Sequence, residues 1–237
     1  MSLLSPILST DPASPRLTVY DETAGTRMEF SGVTLDNWAN KIANMLVEEF
    51  DFEPSDTVEQ EENPRIVVDL PVSWQAAVLP IGMYNAGLTF ATTDSSSHDS
   101  SSNKPNTPTP QLVFTTVERM GNWQSVTDVA VVSDDPFGRG VTETGGTLPA
   151  GVVDFGPTVR FYGDQYYGES PELSAWDKEN TNAERLLIPA WHSRAEFDAT
   201  VMATLAAGGS VVVVAGMASA DRLEQIAEAE KVDRRLN

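Results

Sequence analysis

An unbroken apolar run of strand length obliges a chain to cover that strand on both faces. Arg65-Ile66-Val67-Val68-Asp69-Leu70 is such a run, and it has the signature of a buried parallel strand. The residues from Trp74 to Asn85 predict a helix, although Pro80 inside it is expected to kink or shorten it. Gly87 ends that helix, and residues 88–92 read as the next strand. Strand, helix and strand at this spacing predict a βαβ crossover. The fold class is therefore α/β, with parallel sheet layers flanked by helices.

The remaining segments fit that class. Residues 17–21 and 27–31 predict an N-terminal β-hairpin closed by a turn with Gly25. Thr34 can cap a helix whose apolar positions Leu35, Trp38, Ala39, Ile42 and Leu46 keep helical spacing to about residue 49. Residues 50–64 are acidic and read as an exposed loop, and 93–110, TDSSSHDSSSNKPNTPTP, as a flexible linker. Beyond it, strands are expected at 112–115, 128–132, 159–162, 186–188 and the nearly pure valine run 210–215, with a loop over 136–157. Helices are expected at 195–207, through Phe197, Val201, Met202 and Leu205, and at 219–231. Residues 1–15, broken by Pro6, Asp11, Pro12 and Pro15 and lacking a basic segment, are no signal peptide and are expected to be disordered. The predicted organisation is thus two α/β subdomains, 16–92 and 111–237, either side of the linker.

Charge and composition exclude several functions. With 35 acidic against 15 basic residues the formal net charge is −20, which repels nucleic acid and anionic membrane surfaces and favours either plain solubility or a basic protein partner. There is no cysteine, so disulfides and thiolate metal sites are excluded. No apolar stretch approaches the roughly 20 residues of a membrane helix, and a cytoplasmic location is expected. The two histidines, His98 and His192, lie far apart in sequence, and no G-x-S-x-G elbow or Gly-Lys pair occurs. Gly138-Arg139-Gly140 begins a dinucleotide fingerprint, but Glu143 stands where the third glycine belongs. Asp134-Asp135 and Glu61-Glu62 are cation candidates whose plainer reading is a pair of solvated loops, and no metal is predicted.

Two stretches resemble the adenylate-forming superfamily of acyl-CoA synthetases, peptide-synthetase adenylation domains and luciferases. Residues 30–43, FSGVTLDNWANKIA, are similar to its opening T-Y-x-E-L-x-x-x-(A/S)-N-x-(L/I)-A element, and Asn85-Ala86-Gly87-Leu88-Thr89-Phe90 to its K-A-G-A turn. Phe197-Asp198-Ala199-Thr200, followed by residues 205–213, LAAGGSVVV, resembles the F-D-x-S … L-L-x-G-G-x-x-V element. The resemblance implies an N-terminal domain of such an enzyme and gives Asp198 the task of holding a substrate ammonium, against the structural reading of an acid favoured by the helix dipole. Phe197, Trp191 and His192 are the neighbours that would line the same cleft, or pack and face solvent as ordinary core and surface residues.

The departures from the family pattern set the functional expectation. In place of the phosphate-wrapping S-G-T-(T/S)-G-x-P-K loop stands Gly163-Asp164-Gln165-Tyr166-Tyr167-Gly168-Glu169-Ser170-Pro171-Glu172, with three acids and no base. The chain also ends soon after the valine strand, so the family's adenine, ribose and catalytic-lysine elements are expected to be missing. The expectation is a truncated, catalytically degenerate relative that binds a small carboxylate ligand, a protein partner or a second copy of itself, with no catalytic residue and no cofactor. The alternative is a true acyl- or aminoacyl-adenylate ligase, using ATP or AMP with magnesium through an atypical site or a partner subunit.

Overall fold

A computed structural model describes residues 1–53, 65–93, 109–177 and 182–236. Two five-stranded sheets share one core. The first has the order β10-β8-β9-β1-β2, from β1 (Pro15–Asp21), β2 (Thr26–Ser31), β8 (Arg185–Ile188), β9 (Ser210–Ala215) and β10 (Arg234–Arg235). Only its β1/β2 hairpin is antiparallel. The second is parallel throughout, in the order β4-β3-β5-β6-β7, from β3 (Ile66–Asp69), β4 (Ala91–Thr92), β5 (Leu112–Thr115), β6 (Asp128–Val131) and β7 (Val153–Asp154).

The valine run is explained by its place in the first sheet, between β8 and β1. Val211 and Val213 join the main core with Leu17, Val19, Leu186 and Ile188. Val212 and Val214 face the other way, onto Ile226 and Ala227 of the C-terminal helix (Ala220–Ala229). Successive side chains alternate between faces, so a strand covered on both sides has no polar face to show. Each buried valine contributes roughly 2 kcal/mol.

Helix α2 (Gly32–Glu48) begins at Ser31, whose Oγ accepts from the Thr34 amide, three residues before the cap the sequence suggests. It packs against α3 (Trp74–Asn85), whose twelve residues are all buried. A helix apolar all round belongs inside a core, and Pro80 does not shorten it. The two helices meet at Gly82, where an added Cβ would lie 2.5 Å from the Ile42 side chain. Gly87, at φ +69°, then turns the chain out of α3.

Several expectations are corrected. The N-terminal residues are ordered: Leu3, Leu4 and Ile7 are core residues, and Ser5–Thr10 form α1, with Pro6 in the first turn where its missing amide costs nothing. Residues 155–161 form α4 (Phe155–Phe161) rather than a strand at 159–162, because Phe155 and Val159, one helical turn apart, bury together. Strand β4 is confined to two residues and β10 is an addition, its two exposed arginines giving no apolar signal. The hairpin pairs with β9 from the far end of the chain, so the first sheet draws strands from both 16–92 and 111–237. Most of the proposed linker (94–108) and of the acidic loop (54–64) lies outside the described residues.

Glu230, at the end of the C-terminal helix, locks that helix to the first sheet. Its carboxylate accepts from Tyr20 Oη at 2.6 Å and Arg27 Nε at 2.7 Å, and from the Arg185 guanidinium. Burial alone would raise this carboxyl, but the donors from Arg27, Tyr20 and Arg185 together hold it at about 2. Its contribution is therefore fully present above the ordinary carboxylate range and is lost as pH falls toward 2. The slope of the urea midpoint against pH between 5 and 2 should flatten in Glu230→Gln, which at neutral pH should lose roughly 3 kcal/mol. Gly82→Ala should cost about 1–3 kcal/mol by overpacking α2 against α3, read by the same denaturation.

Candidate functional site

Ser193-Arg194-Ala195-Glu196 fixes the geometry of the site. Ser193 Oγ accepts from the Glu196 amide at 3.2 Å, and the Glu196 carboxylate accepts the His192 amide at 2.7 Å, a variant of the capping box that reaches one residue before the cap. The helix it starts runs through α5 (Arg194–Phe197), a π-helical turn (Asp198–Met202) and α6 (Ala203–Ala206). Phe197, Val201, Met202 and Leu205 are all buried. At about 100° per residue Met202 would stand some 140° round from Phe197 in a regular helix. The wider π turn brings it back to the core side and leaves Arg194, Ala195, Asp198 and Ala199 on the other.

That second face lines a cleft of about 820 Å³. The end of α3 and the turn after it supply Tyr84 and Leu88, the segment after α4 supplies Glu169, Ser170 and Pro171, and the 3₁₀ turn Leu173–Trp176 supplies Trp176. Tyr84 Oη donates to Asp198 Oδ1 at 2.5 Å, and the Tyr84 ring lies against Trp176 with centroids 4.9 Å apart.

The wall carrying Glu169 and Ser170 is pinned by side-chain donors of α2. Lys41 Nζ donates to the Tyr162 carbonyl at 2.6 Å, Asn44 Nδ2 to those of Gly163 and Gln165 at 2.9 Å each, and Asn40 Nδ2 to that of Asp164 at 3.1 Å. Asn85, fully buried on α3, links this wall to the N-terminus. Its Nδ2 donates to Asn40 Oδ1 at 2.9 Å, while its Oδ1 accepts the Leu3 amide at 2.8 Å and Ser170 Oγ at 3.0 Å. Asn40 Nδ2 also donates to Asp36 at 2.8 Å, and burial raises that carboxyl against the hydrogen bonds from Ser2 and Asn40.

Of the four residues singled out by sequence, Asp198 alone lines the cleft. Phe197 and Trp191 are buried and pack edge-on with centroids 5.2 Å apart, and Phe90 meets Phe197 edge-on at 6.4 Å. His192 is exposed and offers its carbonyl to Thr92. His98 and Glu61-Glu62 lie outside the described residues. The Asp135 carboxylate is occupied by the Arg139 guanidinium and the amides of Phe137 and Arg139, and the Arg139 hydrogen bonds lower its pKa. The point where the second sheet reverses strand order, outside β3 and β5, is filled by Asp69 with donors from Thr93, Thr115, Arg119 and Trp123. Sequence reasoning missed Tyr84, Trp176 and Arg194. The S-x-x-E box marks where the Arg194 helix begins, but nothing local shows what it faces.

The fold so assembled is that of acyl-CoA synthetases. An acyl-CoA synthetase from Brucella canis superimposes with a TM-score of 0.72 at 15% identity, covering 99% of this chain and 47% of that one. Acetoacetyl-CoA synthetase from Streptomyces lividans gives 0.68 at 14%, over 99% and 42%. The amide bond synthetase McbA from Marinactinospora thermotolerans gives 0.62 at 15%, over 99% and 48%. The chain spans less than half the length of each of these structures. No family model matches the sequence. A TIGR03089 family protein from Mycobacterium tuberculosis (strain ATCC 25618 / H37Rv) is 34% identical over 260 residues, covering 99% of this chain and 96% of that protein. The chain belongs to the TIGR03089 family.

Asn85→Ala would strand the Leu3 amide and remove the donor to Asn40. It should cost roughly 3 kcal/mol in urea denaturation and speed proteolysis within residues 163–172.

Proposed function

We propose that this protein binds a small molecule in the cleft beside Asp198 without adenylating it. The observation that carries the reading is the character of the segment standing where the resemblance implies a phosphate loop. Residues 163–172 contain Asp164, Glu169 and Glu172 and no cation, and α2 holds their first carbonyls by side-chain donors. The nearby ammonium of Lys41 is engaged with the Tyr162 carbonyl. A triphosphate there would meet like charge, at about 4 kcal/mol for each unscreened pair 4 Å apart near a protein surface. The same chemistry argues against an atypical ATP·Mg site in this cleft, where Arg194 is set among Glu169 and Asp198.

The cleft suits a ligand of modest size. Tyr84, Trp176, Leu88 and Pro171 offer apolar contact, and Arg194, Asp198 and Glu169 offer charge for orientation. Among the described residues no helix is long and apolar enough to cross a membrane, and we take the protein to work in the cytoplasm.

ATP–pyrophosphate exchange over a panel of aliphatic, aromatic and amino-substituted carboxylates tests the reading. The purified protein should give no exchange above the no-enzyme control. Carboxylate-dependent exchange would overturn the proposal and establish a ligase.

A further inference from the structure

Arg194 stands apart from the other arginines. Each of the other ten donates at least one hydrogen bond, to a carboxylate or to a backbone or side-chain oxygen. Five of these pair with a carboxylate that is itself less than one-sixth exposed. Among the described residues the Arg194 guanidinium has no hydrogen bond, no ion pair and no ring beneath it, in a chain with 35 acids to choose from. It is only partly exposed, and it lines the cleft.

Its position also argues against a stabilising role. Arg194 is the first residue of its helix, after the Ser193 cap, where the dipole favours an anion and disfavours a cation. A guanidinium kept at the unfavourable end of a helix without a protein partner is explained by a partner that arrives. The guanidinium fork matches a carboxylate in the plane, and Trp176 beside Tyr84 offers a flat apolar surface in the same cleft.

We propose that Arg194 is the recognition residue of the cleft, and that it takes the carboxylate of a small organic monoanion whose apolar body lies against Trp176. The inference rests on the cleft being the binding site, as proposed above. The neighbouring Asp198 and Glu169 carboxylates select against more highly charged groups, which favours a carboxylate over a phosphate ester.

Calorimetric titration of the full chain with benzoate and hexanoate, their amides, and phenyl phosphate at constant ionic strength tests this. The acids should bind saturably, with the amides and phenyl phosphate weaker by roughly tenfold or more. Arg194→Gln should lose a similar factor toward benzoate while its Tm stays level or rises slightly, and Arg194→Lys should recover part of the affinity. Equal binding of benzamide, preference for phenyl phosphate, undiminished affinity in Arg194→Gln or no binding of either acid would overturn the assignment. Exchange activity in the native protein would instead remove the non-adenylating reading and leave the Arg194 comparison intact.

Discussion

The site depends on a single buried amide. Asn85 lies in a helix that is apolar on every side, and a side chain of its polarity is costly there unless its hydrogen-bonding groups are met. They are met by the backbone at Leu3, the side chain of Asn40 and the hydroxyl of Ser170, three segments far apart in the sequence. One residue earlier, Tyr84 turns outward to Asp198. The end of α3 therefore sets both walls of the cleft, from the core side through Asn85 and from the open side through Tyr84. The N-terminal residues belong to this arrangement, because Leu3 completes the amide's coordination and buries its own side chain beside it.

Electrostatics divides the molecule in a second way. Basic residues are scarce, and those present mostly serve as internal ties. Arg27 and Arg185 converge on Glu230. Arg119 closes the sheet crevice on Asp69. Arg16, buried, spans the carbonyls of Gly208 and Gly209 just past the end of α6. A protein so acidic that spends its cations on its own architecture has little positive charge left for a polyanion. Among the arginines Arg194 is the exception, and the cleft is where it is found.

How much of this was readable beforehand follows from which interactions are local. Strands β3, β5 and β9 were legible because burial on both faces writes itself into an unbroken apolar run. The bounds of helix α3 were legible, but the expected shortening at Pro80 does not occur, because the helix is held by burial all round. The helix at 155–161 was not, since four β-compatible residues carry less weight than the pairing of Phe155 with Val159 inside a tertiary core. The N-terminal order was hidden for the same reason: Leu3, Leu4 and Ile7 are ordered by what they touch. At the site, Asp198 was singled out through a family resemblance and lines the cleft, while Phe197 and Trp191 pack on each other, the plainer of the two readings their sequence allowed. The π turn that separates the cleft face from the core face has no local signature beyond a Val201-Met202 pair that fits no regular stripe.

The family resemblance and the chemistry of the loop point in opposite directions, and nucleotide binding decides between them. Calorimetric titration of ATP with magnesium into the native protein is the most direct measurement. The account predicts heats no greater than dilution. Saturable binding of ATP·Mg, with a stoichiometry near one, would contradict it and return residues 163–172 to the role of a phosphate-binding loop.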